Sequence, residues 1–114
     1  MELNLDVMVM SGVDDGLLLS LSTVNGDGQL SDEDWVISIG RREDSDICLR
    51  NDTYVSRQHA YLHRDNERWW LEDCKSRNGT YVEDANGDAA VSGAVPLKPG
   101  QLFRVGRTWL RVQE

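Results

Sequence analysis

Three short stretches hold the residue types that could do chemistry: Gly40-Arg41, Ser56-Arg57-Gln58-His59 and Ser76-Arg77-Asn78-Gly79-Thr80. Each joins turn-forming residues to a base or a hydroxyl, and together they describe a pocket for a phosphate. A phosphate ester at neutral pH carries about −1.5 to −2 charge and three strong acceptor oxygens, so it needs several donors at once. Arg41 follows a glycine that frees the backbone for an abrupt exit from a strand, and its guanidinium can fork onto two oxygens. Ser56 and Arg57 supply a hydroxyl donor and a guanidinium from adjacent positions. Asn78-Gly79 is a hairpin signal, because both residues tolerate positive φ. An Asn held by such a turn can bond an extended peptide's backbone through both ends of its amide. Arg42 and Lys75 adjoin these stretches.

Ser56 and His59 do not read as a nucleophile and its base. No Gly-x-Ser-x-Gly elbow surrounds the serine, and no orienting acid stands at a telling position. A histidine three residues after a loop serine, at the head of a strand, is expected to hydrogen-bond the loop and fix its shape. No catalytic residue, and hence no enzyme, is expected. Thr23–Asp34 partly matches a calcium loop through Asn25, Asp27, Gly28, Ser31 and Asp34. Its first position is Thr, its last is Asp rather than Glu, and the preceding segment reads as strand, so a solvated acidic loop is the expectation and no metal or cofactor is assigned. Cys48 and Cys74 are too few for a disulfide framework or a zinc site and suit a reducing, cytoplasmic compartment.

The positioning elements are strands. The 114 residues fit one domain, 1–114, long enough to bury a core without staples. Short alternating or apolar runs recur at Leu5–Met10, Leu17–Ser22, Val36–Ile39, Ile47–Leu49, Gln58–Arg64, Arg68–Glu72, Thr80–Val82, Gln101–Val105 and Thr108–Val112. Tight spacing and the absence of a helical pattern imply a β-sandwich. Two segments, Thr23–Asp34 and Glu83–Val95, are acidic, rich in Gly and Asn, and read as long surface loops. The four tryptophans are expected mostly in the core and in strand packing.

Charge narrows the partner. The net charge is −8, and residues 1–40 hold eight acids and no Lys or Arg. The rest of the chain is balanced, so the entire excess lies in the first third. An acidic chain is a poor general binder of nucleic acid or of anionic membranes, and neither is expected as a partner. No apolar run approaches the roughly 20 residues that span a bilayer.

These residues resemble the forkhead-associated (FHA) domain, whose pattern is Gly-Arg, then Ser-x-x-His, then Asn-Gly among short strands. The likeness runs from about Val7 to Val112, with the signature at about 36–112. It takes in the Ser11-Gly12 to Gly16 turn, Asp46-Ile47-Cys48-Leu49 and Leu97-Lys98-Pro99-Gly100. The resemblance implies an all-β fold, an eleven-stranded sandwich of two twisted, mainly antiparallel sheets with binding loops at one end. It implies recognition of phosphothreonine in a Thr-phosphorylated protein or peptide. Arg41, Ser56 and Arg57 would contact the phosphate, Arg77 the phosphothreonine or its backbone, and Asn78 the peptide main chain. Gly40, His59, Gly79 and Thr80 would shape the loops. The alternative is an FHA-like domain used for phosphate-independent assembly.

Overall fold

A computed structural model describes residues 2–32 and 34–113. It contains twelve strands: β1 Asn4–Val9, β2 Leu18–Ser22, β3 Gln29–Ser31, β4 Asp34–Gly40, β5 Ile47–Cys48, β6 Ala60–Asp65, β7 Arg68–Asp73, β8 Thr80–Asp84, β9 Gly87–Ala90, β10 Ala94–Leu97, β11 Leu102–Val105 and β12 Thr108–Gln113. The first sheet has the order β2-β1-β12-β11-β8-β9. The second has the order β10-β7-β6-β4-β3, with β5 added beside β4. The β4–β5 pair is parallel and the remaining pairs are antiparallel.

Alternation in the sequence becomes a two-sided layer. Along β4, Trp35, Ile37 and Ile39 turn inward, and Val36 and Ser38 outward. β6 and β7 repeat the rule, with Leu62 and Leu71 buried, and Leu5, Val7, Val9, Phe103, Val105, Leu110 and Val112 close the core from the first sheet. Each such aliphatic or aromatic side chain contributes about 1.5–3 kcal/mol on burial. Two tryptophans, Trp35 and Trp69, are buried, with ring centroids 6.0 Å apart. The other two, Trp70 and Trp109, are only partly buried on the outer faces.

The structure corrects the expected strand count from eleven to twelve. It also places strands inside both segments read as loops: β3 within 23–34, and β9 with the start of β10 within 83–95. β3 is exposed along its length. It exists because it pairs with β4, not because it buries a face. Asp27 anchors the preceding turn: its carboxylate accepts from the Ser22 N–H at 3.0 Å, and its carbonyl accepts from the Trp35 indole at 2.8 Å.

Candidate phosphopeptide-binding site

The three stretches meet at one end of the sandwich. Gly40 closes β4, and the chain then makes the β4–β5 loop. The β5–β6 loop, residues 49–59, crosses directly over it. A Cβ on Gly40 would lie 2.0 Å from the Arg57 carbonyl oxygen and 2.9 Å from its carbon. Glycine is therefore required here by close backbone approach, where the sequence reading had invoked conformational freedom. The crossing is sealed by backbone bonds: Arg41 N–H donates to the Ser56 carbonyl at 3.1 Å, and His59 N–H to the Ile39 carbonyl at 2.9 Å.

These contacts aim the side chains. Arg41 donates through Nε to the Val55 carbonyl at 3.0 Å. That bond fixes the guanidinium of an exposed residue and leaves its terminal nitrogens without a hydrogen-bond partner among the described residues. Ser56 is held on three sides. Its N–H donates to His59 Nδ1 at 2.9 Å, its carbonyl accepts from Arg41, and its Oγ accepts the Arg77 N–H at 3.0 Å. The hydroxyl proton is the donor that this scheme leaves over.

His59 is fully buried. Because Nδ1 accepts from Ser56, the ring proton sits on Nε2, which donates to the Gly79 carbonyl at 2.9 Å. A buried neutral imidazole thus bridges the two loops, as the sequence suggested for a residue that shapes them.

The third stretch is not a hairpin. β7 belongs to the second sheet and β8 to the first, so residues 74–79 cross between layers. Gly79 has φ of +86°, but the other left-handed residue in this loop is Lys75, at 49°, not Asn78. The crossing is organised by Asp73, at the end of β7. Its carboxylate accepts from the Ser76 N–H at 3.2 Å, from Ser76 Oγ, and from Thr80 Oγ1 at 2.7 Å. Ser76 Oγ in turn accepts the Gly79 N–H at 3.0 Å. Burial pushes the Asp73 carboxyl up, but the hydrogen bonds it accepts from Ser76 and Thr80 outweigh it and hold it below the usual range. Asn78 then reaches back, donating from Nδ2 to the Tyr54 carbonyl at 2.8 Å. One amide hydrogen and Oδ1 remain, so the pairing expected of both amide ends is met in part within the protein itself.

All nine residues singled out from the sequence, Gly40, Arg41, Ser56, Arg57, His59, Arg77, Asn78, Gly79 and Thr80, lie in or directly beside these loops. Arg41, Arg77 and Asn78 each hydrogen-bond the segment 54–56, and Arg57 follows it directly. Among the described residues the ion pairs are Arg42–Asp44 and His63–Glu72. Arg41, Arg57 and Arg77 are exposed and engage no carboxylate in that set.

A family model described as the FHA domain matches residues 37–106. The chain belongs to the FHA domain family. The matched span runs from inside β4 to the β11–β12 turn and holds every site residue named above. The FHA domain-containing protein FhaB of Mycolicibacterium smegmatis is 36% identical over 77 residues, 68% of this chain and 46% of FhaB. The glycogen accumulation regulator GarA of Mycobacterium tuberculosis is 45% identical over 72 residues, 63% of this chain and 41% of GarA. The chain therefore spans less than half the length of these relatives. A solved structure from a structural and functional analysis of phosphothreonine-dependent FHA domain interactions superposes with a TM-score of 0.72 at 27% identity. That likeness covers 98% of this chain and 97% of the other.

Two parts of this FHA site escaped the sequence reading. Asp73 stands three residues before Ser76, the spacing of a side-chain-to-backbone turn, which was the available signal. Asp52 ties in a further loop. Its carboxylate accepts from the Tyr54 N–H at 2.9 Å, the Arg107 N–H at 2.8 Å and Thr108 Oγ1 at 2.7 Å. The Arg107 guanidinium then lies 3.9 Å from the centre of the Tyr54 ring. Nothing local in the sequence links residues 52 and 107.

Proposed function

We propose that this chain is a phosphothreonine-reading interaction module, with Arg41, Ser56 and Arg57 on the phosphate, Arg77 beside it and Asn78 on the peptide main chain. The observation that carries the reading is the convergence of the three arginine-bearing segments, whose exposed Arg41, Arg57 and Arg77 belong to no ion pair among the described residues, around a serine held by hydrogen bonds at its N–H, its carbonyl and its Oγ. Charge-assisted bonds of this kind contribute about 1.5–3 kcal/mol each. FHA domains are phospho-motif readers that use Arg clusters, which agrees with the geometry. Phosphothreonine-dependent interactions of a similar solved domain support the same reading.

The module acts by capture rather than by catalysis: Ser56 has no base poised on its hydroxyl, since His59 Nδ1 is engaged by the Ser56 N–H. Residues 1–114 form the binding unit, and the two unpaired cysteines suit a cytoplasmic setting. No helix among the described residues is long and apolar enough to cross a membrane.

The test is a calorimetric titration with a phosphothreonine peptide library, beside phosphoserine and unphosphorylated controls. Saturable binding confined to phosphothreonine is the expected result. Equal binding of the unphosphorylated peptides would replace this reading with phosphate-independent assembly.

A further inference from the structure

None of the acidic residues of 1–40 is among those assigned to the phosphate patch. Part of the acidic excess surfaces on the outer face of the second sheet, where β4 presents Asp34. Strand register fixes the pattern there. Ser38, Tyr61, Glu72 and Ala94 form one row across β4, β6, β7 and β10, and Val36, His63, Trp70 and Pro96 form the next.

Two grooves follow these rows. A groove of about 360 Å³ is lined by Arg42, Asp44, Ser45, Gln58 and Tyr61 among others. Arg42 and Gln58 are the chain neighbours of Arg41 and Arg57, so this groove opens beside the phosphate patch. A second groove of about 210 Å³ is lined by Asp34, His63, Asp65, Trp70, Glu72 and Ala94. The Tyr61 and His63 rings, with centroids 6.1 Å apart, connect the two.

Charge and ring chemistry select the occupant. Asp34 and Asp65 belong to neither of the ion pairs found among the described residues. Trp70 is partly buried on this open face, yet the cation–π contacts among the described residues involve Tyr54, Tyr81 and Trp109 instead. Carboxylates lining one groove with an indole favour a cation, and a tryptophan is the strongest of the aromatic partners. Glu72 is engaged by His63, and the register sets Arg68 opposite Asp65 but Ser31 opposite Asp34, so Asp34 is the carboxylate that an acidic segment would meet with no basic residue opposite it.

We propose that this face is a second contact surface for the polypeptide that carries the phosphothreonine, and that it takes a lysine or arginine of that polypeptide against Trp70 and Asp34. The proposal rests on the phosphothreonine reading. The face runs along β6, whose length corresponds to about 17 Å of extended chain at roughly 3.3 Å per residue. The basic residue therefore lies about four to six positions from the phosphothreonine. The preferred ligand is bipolar, with phosphate at the loop end and positive charge along the sheet.

The experiment is a calorimetric scan of phosphothreonine peptides carrying Lys, Ala or Glu at each of positions four to six on either side. At one of these positions, Lys should bind at least about threefold tighter than Ala, and Glu more weakly than Ala. In the double variant Asp34→Asn, Trp70→Leu the Lys preference should vanish while the Ala peptide keeps its wild-type affinity. A melt of the variant confirms that it is folded, and Asp34→Asn alone, at an exposed position, should already reduce the preference. Phosphate-dependent binding with no Lys preference at any position, or a preference that survives the double variant, overturns the second surface alone. Loss of phosphate dependence for every peptide overturns the underlying reading as well.

Discussion

The two halves of the loop end are fastened by different means. Where the β5–β6 loop crosses β4, the lock is steric and buried: Gly40 lies under the Arg57 carbonyl, and His59 sits in the interior with both ring nitrogens engaged. The crossing from β7 to β8 is held instead by one partly exposed carboxylate, Asp73, with Ser76 and Thr80 around it. The first half carries Arg41 and Ser56, and the second carries Arg77 and Asn78. Packing therefore positions the residues proposed for the phosphate, while a titratable group positions those proposed for the peptide backbone. Four bonds among the described residues join the halves: Arg77 N–H to Ser56 Oγ, His59 Nε2 to the Gly79 carbonyl, Asn78 Nδ2 to the Tyr54 carbonyl and Cys74 N–H to the His59 carbonyl.

The steric lock is the place to break the comparison hardest. Gly40→Ala puts a methyl carbon against backbone that cannot yield as a side chain would. Overpacking of this kind costs typically about 1–3 kcal/mol and sometimes more, and this contact lies at the upper end. A thermal melt should show a fall of many degrees, and a melt close to wild type would show that the loop crossing is softer than its geometry implies. Ser56→Ala acts at the joint between the halves. It deletes the hydroxyl donor and the acceptor for Arg77 N–H, and should weaken phosphopeptide binding by about 1–3 kcal/mol with a smaller effect on the melt.

Asp73→Asn addresses the second half and should have the smallest effect, about 1 kcal/mol of stability at neutral pH once solvent screening is allowed for. Its signature is the pH dependence. The folded-state pKa of Asp73 is lowered, so its contribution is fully present above the unfolded value of about 3.9 and is lost as pH falls through the folded value. Denaturant melts of the two proteins should therefore differ near neutrality and converge in acid. A gap that stays constant down to pH 2 would mean that the carboxylate's charge is not what holds the crossing.

Much of this molecule is legible in the sequence because its core strands alternate cleanly. Trp35, Ile37 and Ile39 in β4, or Leu110 and Val112 in β12, declare the buried face by period two alone. The strands that escaped, β3, β9 and β10, bury little: β3 is exposed throughout, β9 nearly so, and in β10 only Leu97 is fully buried. Pairing to a neighbour creates them, and pairing leaves no trace in local composition. The same limit explains the Asn78-Gly79 turn. Its local chemistry matches a hairpin, but β7 and β8 lie in different layers, and that choice is made by tertiary packing. The Gly-Arg and Ser-x-x-His stretches were readable because each pairs a backbone requirement with a donor at short range. The Asp52–Arg107 tie spans 55 residues and left no local signal.

The central claim is that one patch at the loop end binds one phosphate, with Arg41 as its fixed guanidinium. The most direct test is the affinity of a phosphothreonine peptide for wild type and for Arg41→Ala, each shown to be folded by its melt. Removing a guanidinium from a charge-paired site should cost roughly 2–5 kcal/mol of binding while leaving the melt near wild type. Unchanged affinity in a folded Arg41→Ala protein would contradict the assignment of the patch.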